Sequence, residues 1–504
     1  MSNDTHLLGV DVGTYSSKGV LVNLTGEVIA SHVVEHSLST PAPGWFEHDA
    51  DAVWWSDFVA IVRALLETDG VDPRSIAGIG TSALGSCVLP IDDSGRPLRP
   101  AILYGIDTRA GEEIEYLGEV TGRQFTSQDS GPKVRWIRVH EPEVYEKSRW
   151  FLTSQAYLVY RLTGEPSIDI YTAGGYRPAY DADARQWTPE MSEHVAPIER
   201  FPRAYWSHEV VGTVTAEAAR ETGLSEGIPV IAGTTDAAAE AVSAGVSSVG
   251  DMMVMFGSSI FFILKTTSLV KTERFWASNF LEEGTYAFMG GMSTSGSLTR
   301  WFRDHFAQME LQEEKSGGRN AYAALAELAA GSPPGAGGLV ALPYFEGERT
   351  PLHDPDAKGA IFGLSLRHTR ADVYRAILES VAYGIRHNIE AMREESMDPR
   401  RILAVGGATR NLPWLQMVSD IAGIEMDVPG QQIGASYGDA FMAGVGTGIF
   451  SDLSEVTKWV HMKHRIEPNP ENRGVYDENY AVFRELYPGT KQLMHRLSAG
   501  GRSG

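Results

Sequence analysis

The chain begins its first apolar hairpin at residues 7–22, which read LLGVDVGTYSSKGVLV. The pair Gly13-Thr14 separates two apolar runs, and a second turn at Thr25-Gly26 leads into the apolar run 28–34. Short apolar runs joined by glycine-containing turns are typical of antiparallel strands. The pattern therefore predicts a three-stranded meander at the start of the chain.

The first turn of this meander has the chemistry of a phosphate site. Its glycine lets the backbone approach a bulky anion, and Asp11 at the end of a strand could hold Mg²⁺ through a water molecule. Exposed N–H groups and polar side chains could bind phosphate oxygens. The candidate nucleotide contacts in this turn are Gly13, Thr14, Ser16, Ser17 and Lys18. A hairpin with an Asx-type turn explains the same residues equally well, so both interpretations stay open.

A second hairpin at residues 252–264 repeats this arrangement, with Gly257, Ser258 and Ser259 at its turn. The same supersecondary unit near the start and near the middle predicts two domains of related design. A length of 504 residues exceeds what one core normally supports and agrees with that division. We place the boundary near Gly245, which gives an N-terminal domain over 1–245, a C-terminal domain over 246–490 and a disordered tail over 491–504.

Asp236 opens a predicted helix in residues 232–240, which read AGTTDAAAE. An aspartate at a helix start is a good N-cap or first-turn residue, and that role alone would account for it. It could also accept a proton from a substrate hydroxyl during phosphoryl transfer, with the helix dipole keeping it ionised. Its position just before the predicted domain boundary, where a cleft would lie, favours the catalytic interpretation.

A glycine pair follows the predicted buried strand at residues 402–405. Gly406, Gly407 and Ala408 form a flat surface on which an adenosine could lie, and Asn411 could donate to or accept from the nucleotide. An ordinary tight turn between strand and helix explains the pair as well. The spacing is not GxGxxG, so a Rossmann dehydrogenase gains no support.

Composition argues against several classes of partner. Lys and Arg total 43 against 65 Asp and Glu, a formal charge of -22 that disfavours nucleic acid and anionic membranes. Cys87 is the only cysteine, so an intrachain disulfide is impossible. The sequence shows neither a signal-peptide pattern at its start nor an apolar run of bilayer length, and we expect a cytoplasmic protein.

Taken together, these motifs resemble the FGGY carbohydrate kinases, which belong to the same superfamily as actin, hexokinase and the heat-shock chaperone ATPases. The resemblance covers residues 7–450. Five segments in the right order carry it, at residues 9–14 (GVDVGT), 233–238 (GTTDAA), 347–351 (GERTP), 359–379 (from GAIFGL to AILE) and 406–408 (GGA). The resemblance implies an α/β fold of two actin-like (ribonuclease H-like) domains, with a cleft between them for nucleotide and sugar.

The resemblance also implies roles for single residues. It makes Asp236 the catalytic base and Asp11, with Asp236 beside it, the partner of Mg²⁺. Contacts to the β- and γ-phosphates fall to Thr14, Ser16 and Ser258, and contacts to the rest of ATP fall to Gly296, Gly407 and Asn411. The implied cofactors are ATP and Mg²⁺, the implied partner is a small sugar or polyol, and a homodimer is possible because family members are often dimers.

Within the family the pattern is most similar to that of xylulokinases, which implies phosphorylation of D-xylulose to D-xylulose 5-phosphate. Two departures leave the acceptor open. Ser82-Ala83-Leu84 stands where we expect the xylulokinase Gln-Met-His, and the family's aromatic-x-Asp-x-Arg sequence is stretched over residues 104–109. The candidate sugar contacts are Ser82, Ala83, Leu84, Tyr104, Asp107, Arg109 and Asp236.

Three alternatives remain at this point. The chain could phosphorylate another acceptor, such as gluconate, a different ketose or a polyol. It could be an actin-like ATPase that moves a protein partner, or a sugar-binding module without catalysis. A protein-moving ATPase would need an appended peptide-binding or polymerising segment, and a binding module would need neither Asp11 nor the Gly406-Gly407 turn.

Overall fold

Three antiparallel strands open the fold, as the apolar runs and glycine-containing turns near the N-terminus predict. They are β1 (His6–Val12), β2 (Ser16–Asn23) and β3 (Val28–Glu35). In this computed structural model, which describes residues 5–431 and 433–501, Asp11 pairs with Lys18 across β1 and β2. The predicted meander is confirmed.

Short strands and helices follow this meander. The further strands up to residue 247 are β4 (Glu47–His48), β5 (Ile76–Ala83), β6 (Leu89–Ile91), β7 (Ala101–Ile102), β8 (Trp150–Leu152), β9 (Ser167–Asp169), β10 (Tyr180–Asp181), β11 (Gln186–Trp187), β12 (Arg203–Tyr205), β13 (Val210–Thr213), β14 (Pro229–Ile231) and β15 (Thr234–Thr235). The helices are α1 (Ser56–Leu66), α2 (Gly111–Thr121), α3 (Ser130–His140), α4 (Pro142–Lys147), α5 (Ser154–Thr163), α6 (Ile170–Ala173), α7 (Ala216–Thr222) and α8 (Asp236–Ala244).

The second half of the chain has the same mixture of elements. Its strands are β16 (Asp251–Phe256), β17 (Ile260–Thr266), β18 (Trp276–Asn279), β19 (Tyr286–Met292), β20 (Val340–Leu342), β21 (Ala360–Phe362), β22 (Arg401–Gly406), β23 (Met426–Pro429) and β24 (Met462–Ile466). Its helices are α9 (Gly296–Phe306), α10 (Gln308–Lys315), α11 (Ala321–Ala330), α12 (Arg370–Glu394), α13 (Leu412–Ala422), α14 (Ala435–Gly446) and α15 (Arg473–Gly501).

The first of two compact units contains residues 5–247, 278–286 and 433–460. Its main sheet has the strand order β13-β14-β5-β1-β2-β3, and β15 pairs with β5 outside that path. Strand β5 runs parallel to β1, which places the ends of both strands at one edge of the sheet. The core lies between the sheet and helices α1 and α5, where Val10, Phe58 and Leu158 are fully buried.

The second unit contains residues 248–277, 287–431 and 461–501. Its main sheet has the order β18-β19-β17-β16-β22-β23-β24, in which β16 and β17 form the predicted second hairpin. Strand β22 runs parallel to β16, just as β5 runs parallel to β1 in the first unit. Each unit therefore combines an antiparallel hairpin with a parallel neighbour.

Helix α14 shows that the division of the chain is not two consecutive halves. The predicted C-terminal domain over 246–490 includes this helix, yet α14 packs on β1, β5 and α8 of the first unit. A Cβ atom added at Gly9 would lie 1.8 Å from the carbonyl oxygen of Ser436, and one at Gly80 would lie 2.2 Å from that of Asp439. Glycines on two neighbouring strands thus allow the backbone of α14 to lie directly on the sheet.

The C-terminus also differs from the expectation. A disordered tail is predicted over 491–504, but α15 continues to Gly501, and residues 502–504 lie outside the described part of the chain. Met494 is 4% exposed and packs in the core of the second unit, which explains why the helix persists. Among the described residues, no helix combines the length and apolar character needed to cross a bilayer.

Candidate active site

Asp236 is positioned by a short parallel pairing between β15 and β5. Thr234 pairs with Ser82 and Thr235 with Ala83, and α8 begins at the next residue. Thr234 Oγ1 donates to Asp169 Oδ2 at 2.9 Å, which anchors this turn to a buried carboxylate. The capping role considered for Asp236 belongs to Thr235, whose Oγ1 accepts from the N–H of Ala238.

The Asp236 carboxylate is half-buried and accepts one hydrogen bond, from the N–H of Ala237 at 2.7 Å. Burial raises the pKa of Asp236 to about 6, although the Ala237 hydrogen bond opposes the shift. Glu240 lies one helical turn further along α8. Burial raises the pKa of Glu240 to about 7, with Lys18 opposing this effect and Asp236 adding to it.

Asp11 lies close to the same group of charges. Burial raises its pKa well above the usual range, and the neighbouring Asp236 raises it further, while a hydrogen bond from Ser82 opposes both effects. Lys18 provides a positive charge here, and burial lowers its pKa against the influence of Glu240 and Asp11. The carboxyl groups of Asp11, Asp236 and Glu240 therefore lie close enough to interact electrostatically, with Lys18 as the neighbouring positive charge.

Ser82 joins Asp11 to a fourth carboxyl group, Asp439 on α14. Its Oγ lies 3.0 Å from Asp11 Oδ1 and 2.6 Å from Asp439 Oδ2. Its hydroxyl is within donor distance of both carboxyl groups, although its single proton can be donated to only one of them at a time. Asp439 has 0% exposure, and burial raises its pKa well above the usual range. Ser82 therefore links two carboxyl groups whose pKa values are both raised by burial and lowered by its hydrogen bonds.

The sugar contacts predicted at the end of β5 have buried side chains in the structure. Ser82, Ala83 and Leu84 are at most 2% exposed, so their side chains do not reach a ligand without rearrangement. The half-exposed residues are the next two, Gly85 and Ser86, and Ser86 adopts a left-handed conformation with φ of 56°. Strand β5 ends at Ala83, so the first half-exposed backbone after it is at Gly85 and Ser86.

Asp107 and Arg109 are likewise turned into the protein. Arg109 donates to both oxygens of Asp107 and to Glu47, and its side chain is fully buried against Trp45. The guanidinium is therefore fully paired within the protein, and a sugar contact at these two residues stays a prediction. Tyr104 remains half-buried, and its hydroxyl lies 3.0 Å from Thr14 Oγ1.

The glycine turn of the first unit keeps most of its predicted polar groups accessible. The Gly13 N–H donates to the Ser16 carbonyl at 3.0 Å, which closes the turn. Ser16 is exposed, Thr14 and Lys18 are half-buried, and Asp11 lies at the end of the preceding strand. Ser17 is different, because its hydroxyl is buried and donates to Asp57 Oδ2 at 2.6 Å, which removes it from the candidate phosphate contacts.

In the second unit, three predicted nucleotide segments meet at one edge of the sheet. Gly406 pairs with Phe256, the residue before the Gly257–Ser259 turn, and the Gly296 N–H donates to the Gly257 carbonyl at 3.0 Å. A Cβ atom at Gly296 would lie 2.6 Å from that carbonyl oxygen, so this contact requires glycine. Ser258 and Gly407 are exposed, and Ser259 and Ala408 are half-exposed. Asn411 caps α13 through its side-chain oxygen, which accepts from the N–H of Trp414.

Sequence reasoning missed two members of the first unit's site. Glu240 had an available signal, because residues four apart share a helix face and Asp236 lies four positions earlier. Asp439 had none, because its partner Ser82 is separated from it by 357 positions. Within the described residues, no group of three or more His, Cys, Asp or Glu side chains is arranged to hold a metal ion by itself.

Comparison with known proteins identifies relatives over nearly the whole chain. The model of the FGGY family of carbohydrate kinases, N-terminal domain, matches residues 6–243, and that of the C-terminal domain matches residues 252–447. Curated relatives include the xylulose kinase of Staphylococcus epidermidis, 29% identical over 97% of both chains, and that of Escherichia coli, 29% identical over 97% of this chain and 99% of the relative.

A solved structure agrees with these sequence matches. The xylulose kinase of Rhodospirillum rubrum is 33% identical, covers 97% of this chain and all of its own, and superposes with a TM-score of 0.89. The two sheet-containing units, the glycine turns at both sheets and the Asp236 helix are thus found in a chain matched by both family domains. The chain belongs to the FGGY family of carbohydrate kinases.

Proposed function

We propose that this carbohydrate kinase transfers the γ-phosphoryl group of ATP to a primary hydroxyl of D-xylulose, forming D-xylulose 5-phosphate. The observation that carries the proposal is the Asp236 carboxylate, which is half-buried, free of a capping role and set at the start of α8. Relatives that cover nearly the whole chain are xylulose kinases, which supports the choice of acceptor.

Asp236 acts as the general base in this proposal. A base with a pKa of about 6 is ionised at neutral pH and is basic enough to accept a hydroxyl proton as the oxygen attacks. Phosphoryl transfer asks little covalent chemistry of a protein, so the main contributions are position and charge. Water must be kept from the transferring group, otherwise ATP hydrolysis competes with transfer to sugar.

Asp11 is the proposed partner of Mg²⁺. This ion commonly uses one or two carboxylates together with phosphate oxygens and water. Asp11 fits, because its Oδ1 accepts from Ser82 while Oδ2 accepts no hydrogen bond from any described residue. The nearby Asp236 also raises the pKa of Asp11, and a divalent cation would relieve that repulsion. Mg²⁺, when bound, neutralises charge on the phosphates.

Backbone donors are the proposed phosphate contacts, as the overall charge of -22 requires. In the first unit these are the N–H groups of Thr14 and Tyr15, with the hydroxyls of Thr14 and Ser16, because the Gly13 N–H closes the turn. In the second unit they are the N–H groups of Ser258 and Ser259, while Gly296 supports that turn through its own N–H, which donates to the Gly257 carbonyl. The Gly406–Ala408 surface is assigned to the adenosine.

The acceptor assignment is tested by measuring ADP release with a panel of sugars. We expect the highest kcat/KM for D-xylulose, well above L-xylulose, D-ribulose, gluconate, glycerol and erythritol, with the product phosphorylated at the 5-hydroxyl by NMR. A higher kcat/KM for another panel member would reassign the acceptor within the family. ADP release that no sugar stimulates would reject the proposed function.

A further inference from the structure

The Gly13–Ser16 turn is held from the protein side by one histidine. His36 directly follows β3, and its backbone N–H donates to the Tyr15 carbonyl at 3.0 Å. Its ring Nε2 lies 3.1 Å from the Gly13 carbonyl oxygen. The His36 side chain is 7% exposed, so these contacts form in the interior of the first unit. One residue therefore contacts two carbonyl groups of the turn.

The hydrogen-bond partners of His36 fix the orientation of its ring and place a proton on one nitrogen. A carbonyl oxygen only accepts, so Nε2 carries a proton. Nδ1 lies 2.7 Å from Asp57 Oδ2, and the same oxygen accepts from Ser17 Oγ at 2.6 Å. The Asp57 side chain is also 7% exposed, so one buried carboxyl oxygen contacts both Ser17 and the His36 ring and fixes the orientation of that ring.

A second histidine packs against this pair without competing for its partners. The His48 ring stands edge-on to His36 with centroids 5.1 Å apart. Burial lowers the pKa of His48 to about 4, and the neighbouring His36 lowers it further, against the influence of Thr14 and Asp57. Trp54 Nε1 donates to His48 Nδ1 at 3.0 Å, so this neutral ring keeps its proton on Nε2.

The orientation of the Gly13 carbonyl determines where the next amide points. In a trans peptide the C=O and N–H groups are antiparallel, so a carbonyl turned toward His36 directs the Thr14 N–H away from the interior. Within residues 5–431 and 433–501, neither the Thr14 nor the Tyr15 N–H donates to another protein group. Tyr15 is 65% exposed, so this side of the turn is open.

We propose that His36, fixed by Asp57, is a positioning residue that holds the Gly13 carbonyl inward so that the Thr14 N–H stays aimed at the nucleotide phosphates. His36 touches neither substrate nor the reacting atoms. The inference rests on the nucleotide site proposed above and adds to it the group that prearranges the turn.

Calorimetric titration with MgADP, without any sugar, tests this role. We expect His36→Ala to weaken MgADP binding by about 10- to 100-fold, since the buried hydrogen bond that orients a binding donor is lost. The matched control is His32→Ala, an exposed histidine within β3 and four residues before His36, which should bind MgADP like the wild type. The KM for the sugar should stay within about threefold in both variants, because no sugar contact changes.

A paired substitution separates positioning from simple loss of packing. In His36→Gln the amide N–H can donate to the Gly13 carbonyl, but its oxygen then faces the Asp57 carboxylate. In His36→Gln with Asp57→Asn, the asparagine amide donates to that oxygen and to Ser17. We expect the double variant to bind MgADP more tightly than either single variant, at least fivefold more tightly than His36→Gln.

The outcomes distinguish the two proposals. Wild-type protein that binds no MgADP would reject the nucleotide site itself. Wild-type binding that His36→Ala leaves unchanged would overturn the role of His36 alone. The role of His36 would also be overturned if His36→Ala weakened nucleotide and sugar binding together and lowered the thermal unfolding temperature. The exception is a double variant that restores nucleotide binding alone, which would still support the positioning role.

Discussion

At Asp236, burial and a backbone hydrogen bond act on one carboxylate in opposite directions. Burial dominates and raises the pKa of Asp236 to about 6, while Thr235 caps α8, so the Asp236 side chain is not held in a capping hydrogen bond.

The sequence predicted Asp236 and Asp11 because each lies in a local motif. It could not predict that Ser82 turns inward, because its buried partner Asp439 is supplied by a distant helix.

The first prediction concerns the pH dependence of catalysis. The base works only when ionised, so kcat/KM should fall tenfold per pH unit below about pH 6 and level off above it. A pH–rate profile with D-xylulose from pH 5 to 8 measures this. The decrease in kcat/KM below about pH 6 should persist in Glu240→Gln, which keeps Asp236. A decrease that begins only near pH 4 would show that burial does not raise the pKa of the base as described.

The second prediction concerns the proton on Asp439. Its raised pKa means that the folded chain keeps this proton at pH values where the unfolded chain, with an ordinary carboxyl pKa of 3.8, has released it. Stability is therefore lost as pH rises above that value. Asp439→Asn removes this dependence, because its amide can donate to Ser82 at any pH.

Relative to wild type, Asp439→Asn should gain up to about 1.4 kcal/mol in free energy of unfolding per pH unit above pH 4, until the folded protein also ionises. Urea unfolding at several pH values measures the difference, with the exposed Asp69→Asn as control. Curves for Asp439→Asn and wild type that run parallel would show that Asp439 is ionised in the folded chain.

Among the elements, α14 links the sheet of the first unit to α8. The hairpins at both sheets could be predicted because each is encoded by adjacent apolar runs and a glycine turn. The position of α14 could not, because its contacts with β1 and β5 join residues more than 350 positions apart. Gly9 and Gly80 are conspicuous in the sequence, but only the structure shows which backbone they admit.

The third prediction tests this close approach. A methyl group at residue 9 would lie 1.8 Å from the Ser436 carbonyl oxygen, so Gly9→Ala must displace α14. We expect a loss of about 3 kcal/mol or more in the free energy of unfolding. Gly474→Ala is the control, since no atom lies within 4 Å of its added Cβ and alanine favours the helix. Equal stabilities in the two variants would refute the packing described.

At the scale of the whole molecule, the first unit is completed by residues 433–460, which return from the far end of the chain. The fourth prediction follows from this connectivity. A fragment of residues 5–247 alone should fail to fold cooperatively, because β1 and β5 lose the helix that covers them. A permuted fragment that places 433–460 before residue 5 through a flexible linker should regain a cooperative transition by circular dichroism.

Identical melting of the two fragments would mean that α14 is dispensable for the first unit. The linear order of the sequence predicted two domains of related design, and the two sheets agree with that idea. The sequence could not show that α14 belongs to the first unit, because the predicted boundary near residue 245 indicates only where the chain first passes from the first unit to the second.

The most direct test of the account is to compare nucleotide binding and phosphoryl transfer in Asp236→Asn. The substitution preserves shape and the contact with Ala237 but removes the base. We expect kcat with D-xylulose and ATP to fall by about 100-fold or more, while the MgADP dissociation constant measured by calorimetry stays within about threefold of wild type. Transfer that survives within tenfold, or nucleotide binding lost in parallel with transfer, would contradict the role assigned to Asp236.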